Sequence, residues 1–439
     1  MTGKLRLSIV ILCLLTFPTL LVIAAPATSQ DPGPRGGPAG AGGPLPNLTA
    51  GQLAAFTDGA DDFNTSHSVD GSVPGADATG LGPTFNLENC GGCHSAPSVG
   101  GTSPALNPQI ASATAVGANN EVPSFLSAQG PVREARFILN PDGTPDGGVH
   151  GLFTIAGRSD ARGCKLKQPD FDTEVQRGNV VFRIPTPVFG DGLLENIPDS
   201  TILANKASSR AEKAALGIAG RENRNPQDGT ITRFGWKAQN PSLMNFSGEA
   251  YNVEMGVTNE VFPTERNQTA SCQFNPTPED HSDFEGGVSG VQHFTDFMRF
   301  LAPPTPAPDT PSIVTGRQLF SSVGCAFCHT PSFTTSTSRI AALSRQPVNL
   351  FSDLLVHDMG VGLADGVSQG EAGPREFRSA PLWGLGQRVF FLHDGRTSNL
   401  ITAIRAHASS GSEANGVVAN YLQLTETQKQ NLLYFLRSL

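Results

Sequence analysis

Cys90-Gly91-Gly92-Cys93-His94 and Cys325-Ala326-Phe327-Cys328-His329 decide how the rest of this 439-residue chain is read. Each is a C-x-x-C-H run, the attachment signature of a c-type haem. Two thiols one helical turn apart can each form a thioether to one porphyrin edge. The histidine next in sequence is then set against the iron as its proximal ligand. A zinc site would need four Cys/His ligands converging, but these pairs lie far apart and each carries its own histidine. A thioredoxin-like C-x-x-C needs a βαβ context, and neither pair sits in one. The two runs therefore predict two covalently attached haems, with Cys90, Cys93, Cys325 and Cys328 as tethers and His94 and His329 as iron ligands.

The amino terminus explains how such a protein could mature. Lys4 and Arg6 precede an apolar run interrupted by Pro18, and Ala25-Pro26-Ala27 offers a small-x-small cleavage site. The run is short for a membrane span of ~20 residues, so residues 1–27 read as a cleaved signal peptide. The expected mature protein is periplasmic or secreted and has no membrane span after cleavage. The chain has 30 Lys+Arg against 39 Asp+Glu, a net charge of −9. That acidity argues against nucleic acid and anionic membranes, which need clustered basic residues, and suits a basic partner or none; a small redox partner protein is expected. Of seven cysteines, Cys13 leaves with the signal and four belong to the haem runs. Cys164 and Cys272 remain, and an oxidising compartment favours a disulfide between them over two buried thiols.

Along the chain, residues 28–47 are rich in Pro and Gly and read as a flexible leader. Residues 48–63 read as a helix leading toward the first haem run. Residues 105–183 show short extended segments between turns, and 200–219 are Ala- and Lys-rich and helical. A further helix spans 288–301, with Val291, Phe294, Met298 and Leu301 on one face. Residues 301–311 form a proline-rich linker. Residues 312–439 suit one cytochrome c-like helical domain, closing in a helix whose start, Thr425-Glu426-Thr427-Gln428, has the pattern of a capping box. The expected architecture is mainly α with irregular or β insertions, in two haem domains: 48–300, carrying a large insertion, and 312–439.

Four further stretches carry a resemblance. Gly80-Leu81-Gly82-Pro83-Thr84-Phe85-Asn86, His357-Asp358-Met359-Gly360, Ala380-Pro381-Leu382-Trp383-Gly384 and Phe391-Leu392-His393-Asp394-Gly395-Arg396 resemble the di-haem oxidoreductase/peroxidase family, also labelled thiol-oxidoreductase-like. That family is distantly related to the bacterial di-haem cytochrome c peroxidases. The resemblance implies one haem reacting with peroxide or another small substrate and one relaying electrons, and relatives carry a calcium ion between domains. The alternative is a di-haem electron-transfer cytochrome without its own substrate. The thiol label rests on C-x-x-C, which the adjacent histidines turn into a haem site.

The resemblance also marks candidates beyond the tethers. Asn252-Val253-Glu254-Met255-Gly256 is similar to the peroxidase segment carrying a distal glutamate, so Glu254 is the candidate acid/base. Peroxide heterolysis needs a proton moved from the near to the far oxygen, and a partly desolvated carboxylate can do this. The competing reading is a salt-bridged surface glutamate, and Met255 could instead cap the first iron. Leu400, Ala403, Ile404 and His407 fall at i, i+3, i+4 and i+7, which puts His407 on the apolar face of a short helix. Ligation to the second iron would satisfy a ring nitrogen that otherwise costs ~1–3 kcal/mol when buried unpaired. The competing reading is a core histidine bonded to a carbonyl. Met359 is the next candidate metal ligand and His357 the third. Trp236 is an inter-haem aromatic by analogy, with core packing as its plainer reading, and Arg158, Arg233 and Arg396 are candidate partners for haem propionates.

Overall fold

The computed structural model describes residue 3, residues 28–283 and residues 287–439. The expected signal peptide lies outside the described residues, Gly3 apart. The fold is mainly α: among the described residues, thirteen α-helices are joined by long loops and nine short strands. Among the described residues no helix is long and apolar enough to cross a membrane.

Two helix crossings organise the molecule, and both are made by a glycine. Helix α1 (Ala50–Asn64) starts at Thr49, which forms a capping box with Gln52 and so satisfies two terminal N–H groups reciprocally. Helix α2 (Leu243–Met255) ends at Gly256, whose left-handed φ of 72° suits a residue without a side chain. Helix α3 (Gly290–Phe300) buries Val291, Phe294, Phe297 and Met298, so the apolar face expected from the sequence is the one that packs. It crosses α1 at Gly59, where a Cβ would stand 2.2 Å from the carbonyl oxygen of His293. Phe56, Phe63, Phe294 and Phe297 then close around the crossing, the Phe63 and Phe297 rings 4.9 Å apart.

The same device recurs in the carboxyl-terminal part. Helix α4 (Pro311–Ser322) leads to the second cysteine run. A short helix, α5 (Leu400–Ala406), has His407 as its C-cap. Helix α6 (Glu426–Ser438) starts at the expected Thr425 capping box. A Cβ on Gly316 of α4 would meet the Asn431 carbonyl oxygen of α6 at 2.1 Å. Phe320, Leu432, Leu433 and Phe435 fill the space around that contact.

The sheets are small. Strand β1 (Glu134–Phe137) lies between β2 (Val149–His150) and β3 (Val180–Arg183), antiparallel to both, with Glu134 opposite Arg183. Strands β4 (Val356–Asp358) and β5 (Glu376–Arg378) pair antiparallel, His357 opposite Phe377. The Cys164–Cys272 disulfide is formed and clamps the large insertion.

Two expectations need correction. The 200–219 helix is two helices, Asp199–Ala207 and Arg210–Leu216, broken at Ser209, which has a positive φ of 48°. The 28–47 leader, expected to be flexible, is tied down over its length. Asp31 pairs with Arg437 and accepts from the Leu400 backbone N–H at 2.7 Å. The Arg35 N–H donates to Gly386, and Leu45 hydrogen-bonds Phe300. The 301–311 linker runs beside it, with Ala302 and Thr305 bonded to Gly43 and Gly40. Pro and Gly composition speaks for local backbone freedom and cannot reveal partners hundreds of residues away.

Candidate functional site

Each cysteine run faces its own cavity. The first cavity encloses about 1130 Å³ counted to its mouth and is lined by Cys90, Cys93 and His94. The second encloses about 1430 Å³ and is lined by Cys325, Cys328 and His329.

Local sequence builds the first turn. Asn89 caps the short helix Cys90–Cys93 by accepting from the Gly92 N–H at 2.7 Å. Gly91 and Gly92 are needed for close approach, since a Cβ there would stand 2.2 Å from the Asn64 side chain and 2.5 Å from that of Leu87. His94 Nδ1 lies 3.0 Å from the Gly101 carbonyl. If Nδ1 carries the proton, Nε2 keeps the lone pair that a metal needs. His329 repeats this with the Phe351 carbonyl at 3.0 Å, and His407 with the Ala403 carbonyl at 2.7 Å. Burial pushes His94 down to about 4. Burial and the neighbouring His407 push His329 down to about 4, and burial lowers His407 as well. All three imidazoles are therefore neutral at physiological pH.

The four thiols are not paired with one another. Burial pushes Cys90 and Cys325 up to about 12 and Cys93 well above its ordinary value. Protonated thiols make poor exchange nucleophiles, so Cys90, Cys93 and Cys325 give no support to thiol chemistry.

Opposed to His94 in chemistry is an acidic pair. Glu254, near the end of α2, lines the first cavity, accepts from Asn86 Nδ2 at 2.6 Å and is hydrogen-bonded to Glu134 of β1. The Gly80–Asn86 motif docks here, because a Cβ on Gly82 would stand 2.2 Å from the Gly256 carbonyl oxygen. Burial, then the Glu134 charge, push Glu254 well above the carboxylate range. Burial also acts to raise Glu134, but Arg136 and the bond from Glu254 outweigh it and hold Glu134 low. Two adjoining carboxyls of which one keeps a proton is the pattern of a carboxylate dyad. Glu254 is thus no surface salt bridge. Met255 lies with its sulfur 3.8 Å from Cys90 Sγ.

In the second cavity, Leu400, Ile404 and His407 line the wall together, as the helical spacing anticipated. Met359 lines it too, packed with Ile184, Trp236, Phe377 and Phe390. His357 is engaged on both nitrogens, Nδ1 with Glu413 at 2.8 Å and Nε2 with Asp353 at 3.1 Å. Burial opposes its charge, but Cys328 and Asp353 outweigh it and raise its pKa well above the ordinary value. A doubly protonated ring has no lone pair for a metal. Trp236 lines both cavities and donates its indole N–H to the Ile184 carbonyl at 2.8 Å. Trp383 is buried but lines neither cavity.

The arginines expected to face propionates do not line either cavity. Arg158 pairs with Asp160, Arg233 with Asp199 and Arg396 with Asp394. Arg133, Arg136 and Arg183 line the first cavity, and Arg378 and Arg388 the second. Glu134 and Arg136 went unnoticed in the sequence, although their i, i+2 spacing on one strand face was a usable signal. Among the described residues no cluster of three or more His, Cys, Asp or Glu side chains could hold a separate metal ion.

Two buried cavities, each offering a cysteine pair and a neutral imidazole, carry the donor set that tethered haem requires, and so define a di-haem protein. A family model described as "Di-haem oxidoreductase, putative peroxidase" matches residues 150–439. The chain belongs to this family, which implies two haems and an oxidoreductase activity. No curated protein matches the chain. Among solved structures, it is similar to a MauG-like protein associated with microbial copper homeostasis, at 18% identity, covering 58% of this chain and 90% of that one, with a TM-score of 0.30. It is also similar to the diheme peroxidase BthA from Burkholderia thailandensis E264, at 14% identity, 58% and 86% coverage and a TM-score of 0.28. Similarity to hydrazine synthase of Kuenenia stuttgartiensis is 16% identity at a TM-score of 0.23, over 35% of this chain and 56% of that chain.

Proposed function

We propose that the chain is an exported, periplasmic di-haem c-type oxidoreductase of peroxidase type, its haems held in units 48–300 and 312–439. Cys90, Cys93 and His94 would hold one haem, and Cys325, Cys328 and His329 the other. When bound, such a group supplies a redox-active iron that carries electrons or, with an open position, takes a peroxide.

The observation carrying a division of labour is the asymmetry of the cavities. The second presents two neutral imidazoles, His329 and His407, which together would hold an iron there and suit it to electron transfer. The described lining of the first has one imidazole, His94, together with the Glu254–Glu134 pair. Glu254 is the proton carrier: Asn86 orients it, and the ionised Glu134 beside it can accept the same proton. Peroxide cleavage needs that proton returned to the leaving oxygen, a role worth ~10²–10⁴-fold in rate for a positioned acid/base group. Trp236, common to both linings, is the aromatic bridge between them, and the acidic surface suits a small basic electron donor.

Electron paramagnetic resonance of the purified holoprotein tests this reading. One high-spin and one low-spin haem is expected. Two low-spin haems at every redox level, inert to peroxide, would instead make the protein an electron-transfer cytochrome.

A further inference from the structure

Arg388 lies on the wall of the second cavity, after the turn Leu385–Gln387, with its side chain buried and the whole residue only 5% exposed. Other buried guanidinium groups here have an acid. Arg158 pairs with Asp160, Arg183 with Asp365, Arg233 with Asp199 and Arg437 with Asp31. Arg378, on the same wall, donates Nη1 to the Arg233 carbonyl and faces the charge of Asp191. Among the described residues, Arg388 has neither: its side chain makes no hydrogen bond, and no carboxylate stands against it. Burial alone acts on it, pushing it down to about 10. The acid on this wall, Glu413, is taken up by His357 and the Ala219 and Gly220 N–H groups, and Asp31 is held by Arg437, whose Nη1 also donates to the Arg388 carbonyl at 3.0 Å.

A guanidinium taken out of water without a counter-charge is costly to the fold unless something in the loaded protein supplies one. Its planar fork matches a carboxylate in two-point contact. We propose that Arg388 is the anchor for a carboxylate of the prosthetic group in the second cavity, one of the two propionates that every haem carries. This rests on the di-haem reading above. Arg378, whose Nε is buried without a partner, borders the same cavity and hydrogen-bonds the Trp236 carbonyl through its backbone N–H.

The experiment uses the full-length holoprotein and two variants. Arg388→Met keeps the length and removes the charge; Arg388→Lys keeps the charge. Losing a cation beside the haem disfavours the reduced form. Redox titration should show the second haem's reduction constant falling tenfold or more in Arg388→Met, about 59 mV for one electron. The first haem should stay unchanged, and Arg388→Lys should recover most of the difference, which a packing role would not produce. If Arg388→Met does not accumulate, Arg388→Lys decides: its propionate bending band in resonance Raman should shift, and an unshifted band overturns the assignment. If the Cys325–His329 peptide carries haem and the second haem's reduction constant in Arg388→Met falls by less than tenfold, Arg388 has no such role while the di-haem reading stands. If that peptide carries no haem, both fall.

Discussion

Replacing Asp31 by Ala removes one carboxylate that does three things at once. It holds Arg437 of α6 with bonds of 2.9 and 2.8 Å, caps the Leu400 N–H that starts α5, and closes the leader's own turn at Gly33. Both side chains of the ion pair are 4% exposed, so the variant leaves a buried guanidinium without its acid. Removing one partner of a buried pair costs about 3–5 kcal/mol, and loss of a helix cap about 1 kcal/mol. The contributions overlap, because a loosened leader lets water reach Arg437. A loss of about 4 kcal/mol in urea unfolding of the holoprotein is therefore expected, and about 3 for Asp31→Asn, which keeps the cap. The pH dependence carries a sign. Burial raises the Asp31 pKa, but the Arg437 bond and the backbone N–H groups outweigh it, so its folded value lies below the unfolded one. Its stabilisation is then full above the unfolded value of about 3.9 and is lost as pH falls through the folded one. That part of the acid-induced loss should disappear in Asp31→Ala. Because α5 ends in His407, the variant should also gain high-spin signal at the second haem. Stability within ~0.5 kcal/mol of wild type, with an unchanged acid limb, would refute the view that the leader braces the second cavity.

Mass spectrometry of the mature protein should show two haem adducts, with Cys90→Ala/Cys93→Ala removing one and Cys325→Ala/Cys328→Ala the other; absence of any adduct from a host competent in c-type maturation ends the haem reading. His407→Ala should turn the second haem high-spin and leave the first alone, whereas an intact low-spin signal would pass the ligand role to Met359. Glu254→Gln should slow peroxide turnover by ~10²–10⁴-fold without altering either haem's ligation; undiminished turnover removes it from the chemistry. Cys164→Ser should destabilise by about 4–5 kcal/mol in the chain-entropy model, given a separation of 108 residues, and an unfolding midpoint indistinguishable from wild type counts against that loop-closure account.

What was legible in the sequence is what depends on local period and chemistry. The Thr425 capping box and the Val291–Phe294–Met298 face could be read because caps and apolar stripes are written within a few residues. The Cys164–Cys272 bond came from counting. Helix α2 escaped notice because its buried positions include Ser247, Gly248 and Asn252, which make no apolar stripe. Gly248 serves a close approach instead, a Cβ there standing 2.9 Å from Val261. The cavity residues divide in the same way. His94 and His329 are marked by adjacency to cysteine, and His407 by helical spacing. Arg378 and Arg388 reach their cavity only through tertiary packing, and no pattern within a few residues tells a paired arginine from an unpaired one.

Buried charges hold the wall between the two cavities, which the di-haem reading would make the path between its haems. Arg183 at the end of β3 pairs with Asp365 at 2.7 Å, and Asp365 takes Lys237 at 3.1 Å, all three side chains no more than 3% exposed. Lys237 adjoins Trp236, sits 3.9 Å from the centre of the Phe377 ring and donates to the Gly373 and Glu376 carbonyls. Burial pushes it down to about 8, with Asp365 opposing that loss. Buried ion pairs are poor sources of net stability because desolvation consumes most of the attraction, yet removing one partner is severe. A network of this kind therefore fixes position more than it adds stability. It joins the insertion, through Arg183, to the carboxyl-terminal part, through Asp365, at the point where Trp236 lines both cavities. Electron passage between two sites depends steeply on their separation, and a wall whose displacement would strand a buried charge holds that separation constant.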